Sequence, residues 1–155
     1  MVTSTKDMIW RQVTKRADNI IPLQVKEAIA SGCHSVKVIC EDTDVFALLC
    51  HCYLQEEWST EVLMEGFSRD QTLCTSISKT VERNKEIIPS LLAAHALTGC
   101  DTVPMHFGIG KGKALSSLKK VSLSNFDNGE KFIDDGKRFI AECYGAKNPC
   151  SSTNR

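Results

Sequence analysis

The segment that most constrains this chain is Ser35-Val-Lys-Val-Ile-Cys40, followed at once by Glu41-Asp-Thr-Asp44 and by the apolar run that opens at Val45. The first stretch is apolar and β-branched, which predicts a short buried strand. Val45–Leu54 predicts a helix, with Asp42, Thr43 or Asp44 available as its N-cap. A helix over Ile20–Ile29, starting near Pro22 and stopped by Gly32, precedes the strand, and Glu61–Phe67 alternates weakly as a second strand. Helix, strand, acidic turn, helix and strand in that order predict an α/β domain with a parallel sheet. In such sheets the reactive crevice lies beyond the carboxyl ends of the strands, which is where the Glu41–Asp44 turn falls.

The remainder of the chain reads as helical. Ile77–Asn84 predicts one helix, and Lys85–Thr98 a second with Pro89 in its first turn and Gly99 just past its end. A Gly/Lys-rich turn over Phe107–Lys113 leads into a short helix towards Leu118, and an amphipathic helix covers roughly Asp134–Tyr144. Residues 1–18 are polar and mixed in charge. The expectation is one domain over 1–155, with an α/β part to about residue 75, a helical part over 76–146 and a polar tail over 147–155.

Charge and cysteine content bound the function classes. Nineteen Lys+Arg balance 19 Asp+Glu, which argues against a uniformly basic nucleic-acid binder but not against a locally basic one. The longest apolar stretches, Val45–Cys50 and Ile87–Leu97, are shorter than the roughly 18 residues of a membrane span. The N-terminus has no apolar signal region, so an intracellular protein, nuclear or cytoplasmic and not secreted, is expected. The eight cysteines contain no CxxC pair. Cys50-His51-Cys52 is the one tight cluster, and on a helix its three side chains point apart, so they predict small packing residues in a reduced protein.

Three features carry candidate chemistry. Asp42 and Asp44 follow the buried strand, and a tight turn could aim both carboxylates at one hard cation such as Mg²⁺; the plainer role is an N-cap on a solvated turn. Asp101, in Leu97-Thr-Gly-Cys-Asp101-Thr, follows an apolar helix and a glycine stop, and it too suits a turn. Phe107-Gly-Ile-Gly-Lys-Gly-Lys113 lacks the spacing of a Walker A loop and has no strand before it. It does suit phosphate, because small residues admit a close approach and helix N-terminal amides point outward. Lys111, Lys113, Lys119 and Lys120 lie in a stretch with no acid between residues 102 and 126. A phosphate backbone is the expected target, and a solvated turn the alternative. His95 reads as a structural histidine within an apolar helix, and His106 lies beside the glycine turn.

Taken together, Val38-Ile-Cys-Glu-Asp-Thr-Asp-Val45, Leu97-Thr-Gly-Cys-Asp-Thr102 and Gly108-Ile-Gly-Lys-Gly-Lys-Ala-Leu115 resemble the flap-endonuclease branch of the PIN-like nucleases. A closer resemblance is to a widespread group of proteins, many linked to transposable elements in animals. That group shares Asp-Thr-Asp-Val, His-Ala-Leu-Thr-Gly-Cys-Asp-Thr and Phe-x-Gly-x-Gly-Lys, here Asp42–Val45, His95–Thr102 and Phe107–Lys111. The resemblance spans roughly residues 15–146. It implies a three-layer, Rossmann-like parallel sheet in incomplete form, followed by a helix–three-turn–helix region akin to a helix-hairpin-helix. It implies Mg²⁺ or Mn²⁺ held by Asp18, Asp42, Asp44 and Asp101, with Asp42, Asp44 and Asp101 at the catalytic centre of a phosphodiesterase. It implies a nucleic-acid partner, DNA by preference, gripped by Gly108, Gly110, Lys111, Gly112 and Lys113 with a monovalent cation at the Gly-x-Gly turn. Two departures stand out. The family's first strand, with its metal-binding Asp, has no counterpart in the sequence. Lys15-Arg16-Ala17-Asp18 stands where the family has an acidic Glu-Glu-Ala-Asp-like motif, so charge is reversed beside the metal ligands. The resemblance therefore implies a truncated or decayed copy, or a fragment of a longer product, with weak or no hydrolysis. The alternative is a non-catalytic nucleic-acid or protein interaction module.

Overall fold

The structure is a computed structural model that describes residues 8–11, 20–68, 71–99, 104, 106–123 and 129–146. The chain divides into two compact units, residues 1–85 and 86–155.

The first unit is α/β. Its four-stranded sheet runs in the order β1 (Met8–Arg11), β2 (Ser35–Ile39), β3 (Glu61–Ser68) and β4 (Gln71–Ser76). Helices α1 (Ile20–Ala30) and α2 (Thr43–Gln55) connect the first three strands, which are parallel. Strand β4 returns antiparallel to β3, with Leu63 opposite Ser76 and Ser68 opposite Gln71. The sheet is therefore mixed, not purely parallel as expected. Only two residues separate β3 from β4, a connection that can make a hairpin but not a crossover. Strand β1 lies in residues 1–18, whose polar, mixed-charge sequence assigns no element. It exists through its pairing with β2, in which Trp10 lies opposite Val38.

Period-two burial fixes the core side of this sheet. Val36, Val38, Val62 and Met64 are buried, while Lys37 and Glu65 on the other face form a 3.0 Å ion pair. Ile21, Val25 and Ala28 of α1 and Val45, Leu49 and Cys50 of α2 are buried as well. Helix α3 (Ile77–Arg83) is capped by the Ser76 hydroxyl, which accepts from the Lys79 N–H, and it buries Ile77 and Val81. It packs against α2 and β3, so the α/β unit runs to Lys85, past the expected limit near residue 75.

The second unit is helical: α4 (Ile88–Thr98), α5 (Lys111–Leu118) and α6 (Gly129–Tyr144). Ile87, Ala93, Ala94, Ile109, Ala114, Leu118, Val121, Leu123, Phe139 and Cys143 form its core. The buried Ser90 hydroxyl donates to the Leu123 carbonyl at 3.2 Å and accepts the Leu123 N–H at 3.0 Å, which fastens the chain after α5 to α4. No helix among the described residues is long and apolar enough to cross a membrane.

Candidate functional site

The acidic turn follows directly from the end of β2. The Cys40 N–H donates to the Glu65 carbonyl at 2.9 Å, continuing the β2–β3 ladder by one residue before the chain turns away. Asp42 then takes extended backbone (φ −75°, ψ 124°), and its Oδ1 accepts the Asp44 N–H at 2.8 Å. Its own carbonyl accepts the Phe46 N–H at 3.2 Å, so Asp42 is the N-cap of α2. Asp44 lies in the first turn, where a negative charge favours the positive end of the helix. Glu41 reaches across to β3, and its Oε1 accepts the Phe67 N–H at 3.0 Å.

A cleft of about 450 Å³ opens beside this turn, lined by Glu41, Asp42, Thr43, Phe46, Met64 and Phe67 among others. Asp42 is on it and Asp44 is not. The carboxylate that joins Asp42 there is Glu41, which sequence spacing had not singled out. Its signal was available in principle, since residues 41 to 44 all follow the strand end, but which of them line the cleft depends on the turn. Asp18 and Asp101 lie outside the described residues. Among the described residues, no group of three or more His, Cys, Asp or Glu side chains could hold a metal ion.

The glycine–lysine segment is built differently. The Ile109 N–H donates to the His106 carbonyl at 3.2 Å, closing a turn in which Gly108 has φ +75°. That positive φ at the third turn position is the geometry glycine supplies without strain. Ile109 is buried in the helical core and anchors the turn. Gly110 is the N-cap of α5, with no side-chain cap hydrogen bond, and its carbonyl accepts from the N–H groups of Lys113 and Ala114. Gly112 lies in the first turn, and Lys111 and Lys113 are exposed on it. The lysine stretch is not wholly without acid partners, as its local sequence suggested. Glu142 of α6 pairs with Lys120 at 2.6 Å, a contact made across 22 residues of sequence.

Tyr144, at the end of α6, donates its hydroxyl to the Phe107 carbonyl at 2.9 Å, and Lys113 Nζ lies 5.9 Å from the centre of the Tyr144 ring. His95 is in the last turn of α4, and His106 is exposed.

The cysteine cluster behaves as packing. Cys50 is fully buried, and desolvation pushes its thiol up to about 12. The Cys52 thiol is raised by burial and, secondarily, by Glu56. His51 has its Nδ1 buried without a hydrogen-bond partner, and burial lowers its pKa. Cys33, Cys40, Cys50, Cys52, Cys74 and Cys143 are all free thiols.

In comparison with known proteins, the chain matches no family model, no curated protein and no solved structure.

Proposed function

We propose that this chain is a nucleic-acid-binding module of the PIN-like, flap-endonuclease type, which grips a phosphate backbone at the N-terminal end of α5 and has weak or no phosphodiester hydrolysis. One observation carries the reading. Helix α5 starts with an N-cap glycine that offers no side-chain hydrogen bond, has no acid in its first turn, and places Lys111 and Lys113 there instead. The N-terminal end of a helix carries a partial positive charge, and a lysine beside it is disfavoured by about 0.3–1 kcal/mol. The local sequence thus opposes the stability of its own helix. A phosphate group would answer the positive end of the helix, as at other anion-binding helix ends. Gly108, Gly110 and Gly112 leave open space where a side chain would stand, which lets a backbone come close.

Support for hydrolysis is thinner. In the resembled family a divalent cation activates water and neutralises the phosphate. Asp42 and Asp44 stand at the carboxyl end of β2, as that chemistry needs, but Asp42 is already engaged as a helix cap. Lys15 and Arg16 add positive charge next to Asp18 in sequence. The proposal therefore rests on phosphate binding and contains no hydrolytic step.

The test is fluorescence anisotropy with labelled single-stranded and duplex DNA, and the same sequences as RNA. Lys111→Ala with Lys113→Ala should weaken binding roughly tenfold or more at low salt. Unchanged affinity would remove the reading and favour the second one, a protein interaction module. That alternative is supported by an apolar groove of about 520 Å³ in the helical unit, lined by Leu97, Phe132, Ile133 and Ile140, on which Ile133 is 56% exposed.

A further inference from the structure

The turn that precedes α5 holds a phenylalanine almost entirely in water. Phe107 is 96% exposed, more than any other large apolar side chain among the described residues. Such a ring gains free energy when it leaves water, and its neighbour Ile109, two residues on, is buried. The turn thus sends one apolar residue into the core and the other out. It is also held in that posture. The Tyr144 hydroxyl fixes the Phe107 carbonyl, Gly108 takes the positive φ that lets the chain reverse, and Ile109 pins the far side. A single exposed apolar residue is commonplace on protein surfaces. This one is tied to its surroundings, since Tyr144, itself half exposed, binds its carbonyl and carries Lys113 over its ring. Phe107, through its carbonyl, and Lys113 therefore both meet Tyr144 at the start of α5.

We infer that Phe107 is a stacking platform for an unpaired base, so that the preferred ligand of this surface is single-stranded nucleic acid or a single-stranded end beside a duplex. The inference rests on the phosphate-binding reading and narrows it. Surfaces that hold single strands combine cationic groups for the backbone with aromatic faces for successive bases, and stacking is tolerant of sequence because every base has a π face. Charge complementarity favours a polyanion over a protein partner at this position, with Lys111 and Lys113 exposed in the first turn of the helix that follows Phe107 and no acid in that turn.

The test compares three probes by anisotropy in the presence of a chelator: a short oligothymidylate, an abasic strand of the same length, and a duplex. Phe107→Ala should weaken the oligothymidylate roughly tenfold, the scale of one base–aromatic stack. It should leave the abasic strand and the duplex unchanged, because they present phosphate without an unpaired base. Phe107→Tyr and Phe107→Trp should restore binding, whereas Phe107→Leu, apolar but without a π face, should not. At 96% exposure the residue can be replaced without disturbing the core, and circular dichroism and a melting curve check this. If Phe107→Ala leaves oligothymidylate binding unchanged, or Phe107→Leu binds as the parent does, the stacking inference is wrong. If the lysine pair still matters in that case, the phosphate reading survives alone. If neither change has an effect, both are wrong, and a protein partner becomes the occupant to pursue.

Discussion

Helices α2 and α5 each begin just after a turn rich in candidate binding residues, and they treat their N-terminal ends in opposite ways. At α2 the chain supplies its own anion. Asp42 accepts the Asp44 N–H, and Asp44 adds a second negative charge within the first turn. At α5 a glycine occupies the cap and the first turn holds two lysines. The first arrangement is satisfied from within. The second has no side-chain cap, and a bound anion would supply the negative charge that the cap does not. Carboxylates after a strand attract notice in a sequence, yet here Asp42 serves its own helix, whereas the glycine–lysine turn leaves its helix end without a side-chain cap.

Making α5 resemble α2 should produce the largest effect. Gly110 has φ −86° and ψ 162°, and a Cβ added there meets nothing within 4 Å, so Gly110→Asp can install a cap without strain. Stability should rise by a few tenths of a kcal/mol, as for Asp in place of Gly at an N-cap. Nucleic-acid affinity should fall roughly tenfold or more, because a carboxylate now occupies the helix end and repels phosphate. Chemical denaturation and anisotropy on the same variant read both signs. Improved or unchanged binding would show that the two helix ends are not the contrast they look to be.

Making α2 resemble α5 should cost stability instead. Asp42→Ala removes the cap and should destabilise the protein by about 1 kcal/mol, while Asp42→Asn keeps a capping oxygen and should be nearly neutral. The asparagine variant also separates capping from metal binding. Any Mg²⁺- or Mn²⁺-dependent cleavage of flap, single-stranded or duplex DNA that runs through this turn should vanish in Asp42→Asn while the fold stays intact. Cleavage equal to that of the parent would remove Asp42 from the chemistry.

A smaller effect concerns the interior of α2. Burial lowers the His51 pKa below the ordinary imidazole value of 6.5. The unfolded chain therefore binds this proton more tightly than the folded one. The stability contribution is complete above that value and declines as pH falls below it. A urea midpoint followed from neutral to mildly acidic pH should drop, and His51→Asn should flatten that part of the slope. An unchanged slope would mean that the ring is solvated in the folded protein.

The contrast between the helix ends was partly legible in the sequence. Asp42 stood among the cap candidates, and the glycine–lysine turn was visible from composition, because both devices depend on a few adjacent residues. What escaped depends on residues far apart. Strand β1 is four residues long, too short for a periodic signal, and owes its existence to pairing with β2. Strand β4, Gln-Thr-Leu-Cys-Thr-Ser, forms as the hairpin partner of β3 with Thr72, Leu73, Cys74 and Thr75 all exposed, so no buried stripe announced it. Helix α6 begins at Gly129, five residues before Asp134, and Gly129-Glu-Lys ahead of Phe132 offered no apolar signal for that start. The Lys120–Glu142 pair escaped because 22 residues separate its members, and the placement of Glu41 rather than Asp44 on the cleft because it depends on the conformation of the turn.

The salt dependence of nucleic-acid binding tests the central claim most directly. Each phosphate that the protein no longer neutralises should reduce the slope of log K against log[salt] by roughly 0.7 for a single strand and 0.9 for a duplex. Lys111→Ala with Lys113→Ala should therefore flatten the parent slope by about two such increments. A double variant with the parent's slope and affinity would contradict the assignment of α5 as the phosphate-gripping end of this protein.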